Sequence, residues 1–84
     1  MKRPEIAVFV IQAVQRCSGT PLPDTTLRAA MRLGFPHLRL TEEEIGTVIR
    51  DVEVQGWITG GHDELLGLQW AITPRGELRA GQLH

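Results

Sequence analysis

The sequence predicts a small α+β domain: a three-helix core closed by a β-hairpin and a short C-terminal helix. Three observations carry this. An aliphatic stripe at helical spacing runs through Ile45, Val48, Ile49 and Val52. A glycine at position 56 ends that stripe and is followed at once by Trp57-Ile58-Thr59. Farther on, Leu68, Trp70 and Ile72 alternate with Gln69, Ala71 and Thr73, the period of a half-buried strand.

The chain has 84 residues, the size of one domain spanning 1–84. A domain of that size buries roughly 60–65% of its unfolded surface, which is enough for one modest core. Hydrophobic residues make up 42%, within the range of soluble globular proteins. Nine basic and ten acidic residues leave a formal net charge of −1, without the basic excess common in nucleic-acid binders. A single cysteine, Cys17, forms no internal disulfide and suits a reducing, cytoplasmic setting. Met1-Lys2-Arg3 ahead of the apolar run Ile6 to Val14 faintly resembles a signal peptide. Pro4 and Glu5 interrupt the junction, Gln12 breaks the run, and no small-residue cleavage site follows, so the segment reads as a helix. No stretch approaches the ~18 apolar residues that span a bilayer.

Residues 4–17 are the first expected helix, with Pro4 in the first turn and Ser18-Gly19 ending it. Ile6, Phe9, Val10, Ala13, Val14 and Cys17 form its core stripe. Val8 and Ile11 lie off that stripe. Either the helix packs on two sides within the chain, or these two residues join a dimer contact. Gly19 to Pro23 reads as a short edge strand, because two prolines two apart forbid helix and only an edge tolerates the missing donor; Leu22 points inward. Asp24 is the expected N-cap of a second helix from Thr25 to Leu33. In it Leu27, Ala30 and Met31 face the core, Arg28 and Arg32 share the exposed side, and Gly34 ends the run. Phe35, Leu38 and Leu40 tuck the following connection under the core, while His37 stays in solvent.

Thr41 with Glu44 three residues later is a capping box for the third helix. Gly60-Gly61 reads as the device that turns the hairpin. Thr73-Pro74 opens the last helix, to about Ala80, with Gly81 to His84 fraying. No repeat, low-complexity tract or linker interrupts the chain.

No catalytic constellation stands out, and no enzyme, cofactor or metal is expected. His37, His62 and His84 lack metal-ligand spacing, and His62-Asp63-Glu64 reads as a polar turn. Gly60-Gly61 lacks the Lys-Ser/Thr of a phosphate loop. Glu42-Glu43-Glu44 sits where negative charge favours the helix dipole, so it needs no acid–base role.

The order G-W-I-T, hairpin, W-A-I-T-P-R-G resembles the wing of bacterial winged-helix regulators of the MarR and PadR kind. The resemblance covers most of the chain and rests on pattern rather than on a diagnostic motif. It implies double-stranded DNA as partner, with the helix from Glu42 to Gly56 in the major groove. On that implication Arg50 and Thr47 reach base edges or phosphate, Arg28 and Arg32 hold the backbone, Lys2 and Arg3 form an arm, and a homodimer supplies the affinity. Here the chain departs from such regulators. The third helix carries Glu42, Glu43, Glu44, Asp51 and Glu53 against Arg50, and each acid near a phosphate subtracts from the counterion-release gain. The wing tip, His62-Asp63-Glu64-Leu65-Leu66, carries acids and leucines in place of Arg or Lys. The alternative is a protein-interaction winged helix working through the acidic third helix and Leu65 and Leu66, with Val8 and Ile11 as a further contact. Those leucines either fold back on the domain or form a contact site.

Overall fold

The computed structural model describes residues 3–17 and 19–83, so the expectations placed on Lys2, Ser18 and His84 lie outside the described residues. It is α+β, with helices α1 (Pro4–Arg16), α2 (Asp24–Gly34), α3 (Glu42–Val54) and α4 (Pro74–Gly81), and strands β1 (Leu22–Pro23), β2 (Ile58–Asp63) and β3 (Gly67–Ile72). The sheet is antiparallel with β3 in the middle and β2 on one edge. Among the described residues no helix is long and apolar enough to cross a membrane.

The core forms where the aliphatic stripes converge. Ile6, Val10 and Val14 of α1 meet Leu27 and Met31 of α2 and Ile45, Ile49 and Val52 of α3, with Ile58 and Trp70 closing the sheet side. Ile11 is only 1% exposed, and Ala7 is buried too, so α1 turns two adjacent faces inward. This corrects the dimer-contact reading of Ile11. The sheet and α4 cover the side that a helix in a smaller bundle would leave open, and only Val8 of that pair is half-buried. Phe9 stacks edge-on against Phe35 at 5.4 Å, which pins the connection after α2. That connection holds a single 3-10 turn, Pro36–Leu38, and tucks Leu40 into the core as expected.

The ends of α3 follow from its sequence. Glu44 N–H donates to Thr41 Oγ1 at 3.1 Å, and the Glu44 carboxylate accepts from Thr41 N–H, so the capping box is complete. At the other end Gly56 N–H donates to Glu53 O and Trp57 N–H to Val52 O, with Gly56 at φ +81°. That pair of bonds is a Schellman motif, and its left-handed residue strongly favours glycine.

Two local expectations are corrected. Asp24 is the first residue of α2 rather than its cap; Pro23 occupies the cap position, and the Asp24 carboxylate is used elsewhere. Gly60 and Gly61 lie inside β2, and the turn is Glu64-Leu65-Leu66, between the paired Asp63 and Gly67. Gly67, at φ +74°, supplies the left-handed residue that a three-residue loop needs. Gly60 serves another purpose. It faces Trp70 across the ladder, and a Cβ there would lie 3.0 Å from the indole. At the C-terminus Leu83 packs against the core instead of fraying.

Candidate functional site

Two surfaces gather the residues that carry chemistry. The first is the outward face of α3. Glu43, Thr47 and Arg50 are exposed, and with Gly46 and the half-buried Asp51 they line a shallow concavity. It continues toward the start of the helix past Thr41, Glu44 and Arg3.

Non-local pairing decides the electrostatics of this face. Arg28 and Arg32 stand one turn apart on α2 and both reach Glu42 in the first turn of α3. The Arg28–Glu42 contact is 2.9 Å, and Arg28 Nε also donates to Asp24 at 2.8 Å. Arg3 closes on Glu44 at 3.0 Å. These contacts have consequences for charge. The Glu42 carboxyl is held below its usual value, first by the hydrogen bond from Arg32 and then by Arg28. The Arg28 guanidinium is raised, chiefly by its hydrogen bond to Asp24.

Thus the two arginines expected to hold a DNA backbone, and the described residue of the N-terminal arm, are engaged by acids of the protein itself. Thr47 and Arg50 remain outward-facing, as expected, beside Glu43 and Asp51. The pairs to Glu42 and Glu44 face solvent and are screened by water and salt, so they bias the face without locking it.

Asp24 joins this network to the sheet. Its second oxygen accepts from Trp70 Nε1 at 2.9 Å, so one carboxylate bridges the first turn of α2, Arg28 and the central strand. Sequence reasoning missed this role, since nothing local marks Trp70 as the partner of a residue 46 positions earlier.

The second surface is the hairpin tip. Asp63 Oδ1 accepts from Leu65 N–H at 2.7 Å and from Leu66 N–H at 2.9 Å. Both bonds hold the Asp63 carboxyl below its ordinary value, the Leu66 bond more strongly. The turn is therefore fastened by its own side chain. It holds Leu65 93% and Leu66 63% exposed, so the leucines do not fold back onto the domain. Leu68, beside them on β3, is exposed as well.

A third feature was not foreseen. Arg79 of α4 lies 5.4 Å over the Trp57 ring, and Trp57, Arg75, Leu78, Arg79 and Gln82 line a shallow apolar and cationic concavity. The only sequence signal for it is the four-residue spacing of Arg75 and Arg79.

His37 and His62 are exposed, and among the described residues no three His, Cys, Asp or Glu side chains gather as metal ligands. No protein-family model matches the chain, and no curated protein or solved structure is significantly similar to it.

Proposed function

We propose that this chain is a non-enzymatic winged-helix domain that docks a protein partner through the tip of its hairpin. The order of elements supports the fold reading. A short strand between the first two helices pairs with the hairpin, the third helix is closed by glycine, and a T-P-x-G turn leads off the last strand. The observation that carries the function is Leu65 at 93% exposure on a turn fastened by Asp63. An apolar side chain displayed by a held backbone has already met part of the ordering cost of binding. A photo-crosslinking residue in place of Leu65, used in the native cell, tests this. Covalent protein adducts that Leu66→Ser depletes support the reading, and no protein adduct sinks it.

A second reading rests on Thr47 and Arg50, which face outward from α3. On it, α3 enters the major groove of double-stranded DNA. Released from Glu42, Arg28 and Arg32 would hold the phosphates. Titration with random duplex at increasing salt decides. A steep fall in affinity with salt that Arg50→Ala flattens supports DNA binding. Absence of binding at low salt eliminates it.

A further inference from the structure

β2 is an edge strand. Proteins usually defend such edges with lysines, prolines, bulges or a covering element. Here the segment is Thr59-Gly60-Gly61-His62-Asp63, exposed throughout, with neither lysine nor proline.

The register shows which backbone groups are open. Thr73 N–H donates to Trp57 O at 3.2 Å, so that pair is hydrogen-bonded, and hydrogen-bonded pairs alternate along an antiparallel ladder. Thr59, Gly61 and Asp63 therefore spend their N–H and C=O groups on β3. Ile58, Gly60 and His62 turn theirs away from it. Ile58 is buried, which leaves Gly60 and His62 offering donors and acceptors at an open edge. Gly61 between them has nothing within 4 Å of where a Cβ would stand, so no side chain of the domain crowds the sheet face at that point.

We infer that two copies pair antiparallel along β2 about an axis at Gly61, joining their three-stranded sheets into one of six strands. This rests on the docking reading above and names its partner. In that register Gly60 of each copy exchanges both bonds with His62 of the other, about four backbone hydrogen bonds in all. The pairing ends with Asp63 opposite Thr59 of the second copy, and the turn beyond it, with Leu65 and Leu66 at its tip, then lies toward that copy's Trp57 and Gly56. The concavity there supplies the complement, with Trp57 and the 72%-exposed Leu78 for the leucines and Arg75 and Arg79 for Asp63 and Glu64. Arg75 stands within 3.5 Å of where a Gly56 Cβ would be, which places it at the end of that register. The same contact occurs twice, because the pairing is symmetric.

Sedimentation equilibrium of the purified chain across a wide concentration range tests this. The expected result is a concentration-dependent rise from the 9.4 kDa chain mass to twice that value. His62→Pro removes one outward donor and spares the bonds to β3, and is expected to raise the dissociation constant about tenfold or more. Glu64→Arg weakens the pair about fivefold, and adding Arg79→Glu restores it to within about twofold, a recovery that misfolding does not produce. A monomer at every concentration overturns the inference, as does a dimer indifferent to His62→Pro and to the charge exchange. If the purified chain stays monomeric while the Leu65 cross-linker still captures other proteins, self-pairing fails and docking stands. If neither is seen, both fail.

Discussion

Gly76→Ala tests whether α4 is clamped against the start of β2. A Cβ at Gly76 would lie 1.9 Å from the Trp57 carbonyl oxygen and 2.9 Å from Ile72 Cγ1. Real Cβ contacts do not fall below 3.0 Å, so the helix and strand must separate by about 1 Å. The Trp57 carbonyl has little freedom to move, because it accepts from Thr73 N–H at 3.2 Å. Thr73 is fixed in turn: its hydroxyl donates to Gly56 O at 2.5 Å and accepts from Gly76 N–H at 2.9 Å. Overpacking of this kind costs about 1–3 kcal/mol, and each strained hydrogen bond adds about 1 kcal/mol. Alanine's helical preference over glycine offsets up to about 1 kcal/mol. The net expectation is a loss of about 2–3 kcal/mol, or a fall in Tm of about 10–20 °C for a domain this small. Gly81→Ala is the control. It lies in the same helix with nothing within 4 Å of its Cβ, and is expected to be neutral or stabilising. Circular-dichroism melts of both variants decide. A Gly76→Ala protein that melts with the wild type means that α4 yields, and the clamp argument is then wrong.

Trp70→Phe removes the indole donor to Asp24 and is expected to cost about 2 kcal/mol, read from urea unfolding, since hydrogen bonds to charged groups are worth ~1.5–3 kcal/mol. Ile45→Ala empties a fully buried core site and should cost about 2–5 kcal/mol in the same assay. The Glu42 carboxyl should titrate below an ordinary glutamate by carbon-detected NMR, and Arg32→Ala should move its midpoint upward. Because the folded value is the depressed one, the α2–α3 pairing is present above the ordinary glutamate range and is lost as pH falls through the lowered value.

The elements legible in the sequence are those whose signals are local. Thr41 with Glu44, the aliphatic stripe of α3, Gly56 and the alternation around Trp70 each state their conformation within a few residues, and each reappears in the structure. The errors arise where two local rules compete. Gly60-Gly61 has the composition of a hairpin turn, but Asp63 and Gly67 frame a three-residue loop in which an aspartate side chain and one left-handed glycine do the same work. Gly60 is then set by contact with Trp70, a constraint that composition does not carry. Asp24 is an apt N-cap by type, yet its carboxylate is drawn into the helix by Arg28 and Trp70. Ile11 lies off the stripe only on the assumption that α1 packs against two helices; the sheet and α4 add a third and a fourth neighbour.

The same distinction bears on the candidate surfaces. A net charge of −1 gives no direction by itself, because it leaves open which charges meet. Arg3, Arg28 and Arg32 meet Glu44 and Glu42, so two of the three acids in the first turn of α3 are paired from within the chain. What its exposed face offers a partner is then Glu43, Asp51 and Glu53 against Arg50, an acidic remainder that a phosphate backbone would have to overcome. At the sheet the charges are separated along the strand instead: Asp63 and Glu64 at the tip, Arg75 and Arg79 near its base. A single copy cannot bring those two ends together, since a strand of six residues holds them about 20 Å apart. An antiparallel pair can, and it does so at the same step that satisfies the open edge of β2 and covers Leu65.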